Sequence, residues 1–292
     1  MRSEDFFNET CIATIECIMN YSEYIQRLMQ VQDFAELYVL GYSLLSQPIY
    51  AAHVGSYEGR QVIVQCAIHA REYITSLLGV ELTKYAASHD FGGGAYFVYN
   101  TDPDGIRLVL EGARYIECEK QRRYLIDVNG GEDFSLYKAN ANAVDLNTNF
   151  DADWGSGVQN RRCPSPESFI GYYPMSEREV NLLASFTEKV LPFATISYHT
   201  KGEVIYYGFP GQKENSLARD EAIAYRLSAV TGYSPILTSG SGGGYKDWCI
   251  RKYDVPSFTI EVAPKDASHP VGEDYLPKIF EQNKNVLSAL LQ

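Results

Sequence analysis

His69 and Glu72 stand three residues apart in "AIHAREYITS", where the apolar run "RQVIVQC" gives way to an amphipathic stretch. On a helix, positions i and i+3 share a face. An imidazole and a carboxylate at this spacing can therefore meet at one point, which is the donor chemistry of a metal site. The pair also suits the first turn of an ordinary surface helix, where the dipole favours a glutamate. A third donor separates the two readings. His199 closes the apolar run "TISYH" and precedes the turn-like "TKG", and strand ends in open α/β sheets are where ligands bind. His69, Glu72 and His199 make a His–Glu–His set, and three protein ligands with an open fourth position are what catalytic zinc requires. Glu261 lies inside the apolar run "SFTIEVA". A glutamate there is costly unless it is paired or working; beside a cation it stays ionised and can accept a proton from water. The other histidines, His53, His89 and His269, fall in a strand end, a helix terminus and a loop, and read as surface or locally bonded residues and not as ligands.

These side chains need elements to hold them. "YSEYIQRLMQV" has a helical period, and "IYAAHVG" and "RQVIVQCAI" read as strands, the second apolar enough to be central. A helix is expected over 72–87, a strand at "AYFVYN", and a helix in "SEREVNLLASF" opened by a Ser176–Glu179 capping box. Strands follow at "ATISYHT" and "EVIYYG", then a helix from about Ser216 to the stop at Gly232, a last buried strand "SFTIEVA" and a C-terminal helix. Residues 101–175 are rich in Gly, Asn, Asp and Pro and read as long functional loops. With no internal repeat or low-complexity linker, this alternation reads as one α/β domain over 1–292, with 1–39 as an N-terminal helical lead-in.

Composition narrows the function classes. A net charge of −12 argues against a nucleic-acid partner, which needs clustered Lys and Arg, and against tight adhesion to an anionic membrane. No stretch approaches the roughly 20 apolar residues of a membrane span. The N-terminus carries acids where a secretory leader has a basic region. The six cysteines show no CxxC spacing, and with Cys66 in an expected buried strand and Cys249 after Trp248, most of them read as small core residues. Together these lead to the expectation of a reducing, cytoplasmic setting. The 23 tyrosines suit either a cleft walled by polar-tipped aromatics or ordinary core and surface positions.

Five blocks in order across residues 40–262 resemble the zinc metallocarboxypeptidase family: "IHARE", "DPDGIRLV" with Asp102 in place of the family's Asn, "AVDLNTNFDADW", "SYH", and "SGGGYKDWCIRKYDVPSFTIEV". The resemblance implies a mixed, twisted eight-stranded sheet with helices on both faces. It also implies one Zn²⁺ per chain on His69, Glu72 and His199, Glu261 as the base in amide hydrolysis, and Arg71 and Asn147 among the substrate contacts. Some positions depart from the family. Thr148 replaces the arginine that, with Asn147, clamps a terminal carboxylate, and a hydroxyl cannot supply that charged bidentate fork. Ser239 falls where the mobile tyrosine would stand, and Lys138 is the choice for the missing oxyanion-stabilising arginine. "YKANANAVDLN", "SYHTKGEVIYYG" and "SGGGYKDW" look most like the branch of γ-D-glutamyl-L-diamino acid endopeptidases. That branch implies a muropeptide substrate, with Lys246 at the floor of the leaving-side pocket and Lys201 on the acyl side. The alternatives are a carboxypeptidase releasing C-terminal residues and a non-catalytic, zinc-bearing muropeptide-binding protein.

Overall fold

The computed structural model describes residues 19–291. Its strands form one eight-stranded sheet in the order β1-β2-β4-β3-β5-β8-β6-β7. They are β1 (Leu37–Tyr42), β2 (Pro48–Gly55), β3 (Gln61–Gln65), β4 (Gly94–Val98), β5 (Ala194–Thr200), β6 (Val204–Tyr207), β7 (Ser234–Leu237) and β8 (Ser257–Val262). β4, β3, β5 and β8 run parallel. β1 and β2 are antiparallel to their neighbours, and β6 is antiparallel to β8. The sheet is therefore mixed, as the resemblance implied.

Both faces are covered. Val62 and Val64 of β3 point into one core with α1 (Tyr21–Met29), α2 (Ile74–Ala87), α6 (Glu214–Thr231), α8 (Leu276–Asn283) and α9 (Val286–Leu291). Ile63, between them, points into the other core with α5 (Arg178–Val190) and α7 (Tyr245–Tyr253). This strict alternation is the period-2 geometry of a strand buried on both faces. β3 and β5 are adjacent, yet β3 crosses over through α2 to β4 on one side while β5 leads towards the other edge. The sheet thus changes direction between them, and the crevice beyond their carboxyl ends is where an α/β sheet accepts ligands.

Several expectations need correction. The helix expected from Glu72 begins at Ile74, preceded by a 3₁₀ turn over Ala70–Glu72. Ser176 and Glu179 form no capping box: Ser176 donates to Glu177, while the buried Glu179 accepts from the Leu44 amide. Tertiary partners outbid the local cap. The middle section is not all loop, since α3 (Pro103–Glu111) and α4 (Glu119–Asn129) lie within it. Strands β1 and β7, at the sheet edges, and helix α7 were not read from the sequence. Six tyrosines (Tyr24, Tyr99, Tyr137, Tyr198, Tyr233 and Tyr245) are fully buried core residues. Cys66 and Cys249 are buried and free, as expected, but Cys118 and Cys163 are exposed, so only half of the described cysteines are core residues; Cys11, Cys17 and the first part of the expected lead-in lie outside the described residues. Among the described residues no helix is long and apolar enough to cross a membrane.

Candidate metal centre and active site

The turn after β3 is held from three directions. The Ala67 amide donates to Thr75 Oγ1 at 2.8 Å, and that hydroxyl donates to the Glu72 carbonyl at 2.8 Å, tying the turn to the start of α2. The Ala70 amide donates to the Lys138 carbonyl. Gly105, in the first turn of α3, packs so closely that a Cβ there would lie 2.7 Å from the Ala70 Cβ and 2.1 Å from Asp102 Oδ2. His69 itself is extended (φ −108°, ψ 132°) and caps the 3₁₀ turn that carries Glu72. In such a turn i and i+3 eclipse, so the two side chains meet as the spacing predicted, through a tighter helix.

His199, near the end of β5, completes the cluster. His69 Nδ1 lies 3.0 Å from Glu72 Oε1, and His199 Nδ1 lies 3.1 Å from both Glu72 Oε2 and His69 Nδ1. One donor atom from each of the three falls within 4.8 Å of the others, and all three residues are buried. Two imidazole nitrogens and a carboxylate converging on one buried point are a donor set suited to Zn²⁺. Burial works against charge on His69, but Glu72 and Asp145 outweigh it and hold the imidazole above its ordinary value. Burial likewise opposes ionisation of Glu72, yet His69 and His199 hold it well below the carboxylate range.

Asp145 is the residue the sequence reading passed over. Its Oδ1 lies 3.2 Å from His69 Nε2, the ring nitrogen turned away from the cluster, and its Oδ2 lies 3.1 Å from Lys138 Nζ. A carboxylate behind a ligating histidine fixes its tautomer and orientation. Against the penalty of burial, Lys138 and His69 hold the Asp145 carboxyl far below its usual range. The available signal was an acid inside the otherwise buried "AVDLN". Burial also works against the charge on Lys138, but Asp145 and Glu72 overcome it and keep the ammonium protonated.

Glu261 pairs in register with His199 across β5 and β8, so the two side chains stand side by side on one face. Its Oε2 is buried without a hydrogen-bond partner among the described residues. Burial pushes the carboxyl up to about 7, against the pull of His199; a divalent cation beside it would act in the same direction as His199. Glu261 also borders a cavity of about 460 Å³ with Asn147, Thr148, Tyr206, Ser239 and Lys246. Among the described residues, Tyr206 is the one tyrosine bordering this cavity.

The structure sorts the remaining expected residues. Asn147 accepts from the Tyr245 amide, and the Thr148 hydroxyl is turned back onto the Asp145 carbonyl at 2.8 Å. Lys246 lines the cavity, but its ammonium is buried and donates to the Gly208 carbonyl and, at 2.5 Å, to Asp247. Lys201 donates to the carbonyls of Lys265 and Ala267, and is not among the residues bordering the cavity. Arg71 donates to the Leu136 carbonyl and reaches Glu167 at 3.4 Å. His53 and His89 are bonded locally, to Gln61 and Tyr85. His269 is different, because it lies against Thr200, next to the metal-ligand candidate His199.

The chain is similar to several known proteins. A γ-D-glutamyl-L-diamino acid endopeptidase of Lysinibacillus sphaericus is 29% identical over 265 residues, which is 85% of this chain and 66% of that protein. The chain thus spans slightly less than two thirds of that relative. The crystal structure of carboxypeptidase A from Helicoverpa armigera superposes with a TM-score of 0.72 at 17% identity, covering 93% of this chain and 72% of the other. Murein-tripeptide amidase from Escherichia coli O157 superposes with a TM-score of 0.58 at 20% identity, covering 86% and 91%. The sequence profile described as zinc carboxypeptidase matches residues 21–286. With that match spanning nearly all the described residues, the chain belongs to the zinc carboxypeptidase family of metallopeptidases.

Proposed function

We propose that the protein is a zinc-dependent peptidase that hydrolyses γ-D-glutamyl–diamino acid bonds in peptidoglycan-derived peptides. The observation that carries the reading is the convergence of His69, Glu72 and His199 beside a glutamate, Glu261, whose buried Oε2 has no partner among the described residues. His69, Glu72 and His199 would hold one Zn²⁺, which when bound supplies Lewis-acid polarisation of the scissile carbonyl. Glu261 accepts a proton from the attacking water and delivers it to the leaving amine nitrogen as the C–N bond breaks. The Lys138 ammonium, 22% exposed and held by Asp145, offers a cation to the developing oxyanion. Arg71 and Asn147 are substrate contacts in this reading.

Thr148 supports the choice of substrate over the carboxypeptidase alternative. Its hydroxyl is committed to backbone carbonyls, so nothing at that position can grip a terminal carboxylate as an arginine would. The endopeptidase relative brings the γ-D-glutamyl bond to this chain as part of the proposal. The test is mass spectrometry of products from a defined muropeptide incubated with the zinc-loaded protein. Cleavage between D-glutamate and the diamino acid is expected, including when the peptide's C-terminal carboxylate is amidated. Release of single C-terminal residues, lost on amidation, would establish the carboxypeptidase instead; binding without turnover would establish the non-catalytic reading.

A further inference from the structure

Two loops close together beside the metal-ligand cluster. The turn after β5 and the segment after β8 are stitched by three contacts: the Gly202 amide donates to the Ala263 carbonyl, Lys201 Nζ donates to the carbonyls of Lys265 and Ala267, and Thr200 Oγ1 lies 3.5 Å from His269 Nδ1. Lys201 thus acts as a clasp, and what the clasped loop presents is the half-exposed imidazole of His269. Thr200 in turn donates its amide to Glu72, so His269 sits one residue-contact from a ligand candidate.

The surroundings of His269 are cationic. Burial, then Arg71, Lys201 and Lys138, hold its imidazole below the ordinary histidine value, with Glu72 opposing. The three cations already have partners: Arg71 has Leu136 and Glu167, Lys201 has two carbonyls, and Lys138 has Asp145. When the Thr200 hydroxyl donates to Nδ1, the ring proton stands on Nε2, which has no hydrogen-bond partner among the described residues. Neither His269, Arg71 nor Lys201 borders the cavity that holds Lys246.

A γ-glutamyl bond differs from an α-linked one in a specific way. It leaves the glutamyl α-carboxylate free on the acyl side, three carbons from the scissile carbonyl. We infer that His269 is a specificity-determining residue that donates Nε2–H to this acyl-side α-carboxylate. The inference rests on the γ-D-glutamyl reading of the site and adds the residue and the substrate group it recognises.

Two peptides separate the possibilities: L-Ala-γ-D-Glu-meso-diaminopimelate, and its counterpart with D-isoglutamine, whose α-carboxamide replaces the carboxylate. With zinc-loaded protein, kcat/KM is expected to favour the acid. His269→Leu should narrow that preference by roughly 10- to 100-fold, the scale of one hydrogen bond to a charged group. His269→Gln, which keeps an N–H donor, should recover part of it, and this recovery separates recognition from a mere loss of loop packing. A preference unchanged in His269→Leu, or a wild-type protein indifferent to the two peptides, would overturn the role of His269 while leaving the γ-glutamyl reading intact. Cleavage of neither peptide would refute that reading itself.

Discussion

Asp145→Asn changes one oxygen to an amide and removes one charge, yet it touches both the ligand cluster and Lys138. In the parent, Oδ1 sits 3.2 Å from His69 Nε2 and accepts from the Asn147 amide at 3.1 Å. Oδ2 sits 3.1 Å from Lys138 Nζ and accepts from the Ser168 amide at 3.1 Å. With asparagine's carbonyl kept on the His69 side, its NH₂ faces an ammonium and an N–H, donor against donor. Removing one partner of a buried ion pair costs about 3–5 kcal/mol, and the 22% exposure of Lys138 puts this case at the low end, about 3 kcal/mol. Because the folded-state pKa of Asp145 is depressed, its contribution is present at all pH values above the ordinary carboxylate range and fades only as the solution becomes strongly acidic. The loss should therefore appear at neutral pH, as a fall in Tm of about 6–12 °C for a chain of this size. Zinc affinity should fall about 10- to 100-fold, since the charge behind His69 is gone. Thermal unfolding of the metal-free proteins and competition with a chromophoric chelator measure the two effects separately. A variant with the parent's zinc affinity would refute the claim that Asp145 orients His69, whatever its Tm.

Glu261→Gln should keep its zinc but lose roughly 10²–10⁴-fold in kcat, the scale of a general base; near-normal turnover would assign proton transfer to another group. Lys246→Met should raise KM for a meso-diaminopimelate peptide more than for the lysine-containing analogue, which lacks the distal carboxylate, measured by steady-state kinetics on both. Asp247 already partners Lys246, so an equal change on the two peptides would show that the ammonium serves only that pair. The buried carboxyls of Asp104 and Glu179 are raised by burial to about 6 and about 7. The folded state therefore holds protons that the unfolded chain releases between about pH 4 and 7, and this part of the stability is lost as pH rises through that window. Glu179→Gln should gain Tm relative to the parent at pH 8 compared with pH 5, and a pH-independent difference would exclude a raised pKa at that position.

What could be read before folding was whatever local pattern expresses. Central strand β3 announced itself as an apolar run because both of its faces pack into apolar cores, whereas β5 and β8 send apolar residues to one face and buried polar ones to the other. Edge strand β7 did not announce itself, since "SPIL" is short and largely exposed; β1, "LYVLGY", carries an apolar run that was passed over. The α7 segment "YKDWCIRKY" hid because its first six residues are buried irrespective of polarity, Lys246 and Asp247 included. The Ser176–Glu179 pattern misled for a related reason. A cap is worth about 1 kcal/mol, and the Leu44 amide, 135 residues away in sequence, provided Glu179 with a buried partner instead.

The site divides along the same line. Residue type and spacing singled out His69, Glu72, His199 and Glu261 as candidates, because donor chemistry at strand ends and a carboxylate in a buried strand are legible from their neighbours in the chain. Tertiary structure decided what the long cationic side chains do. Lys138 lies against Asp145, Lys201 clasps the loop bearing His269, and Lys246 is buried against Asp247 and the Gly208 carbonyl. A lysine has four flexible methylenes and many reachable partners. Which carbonyl or carboxylate it meets is set by packing between β5, β8, α7 and their loops, and no spacing along the chain encodes that distance. For the same reason His269 looked like a surface loop residue until folding brought the loop after β8 against Thr200.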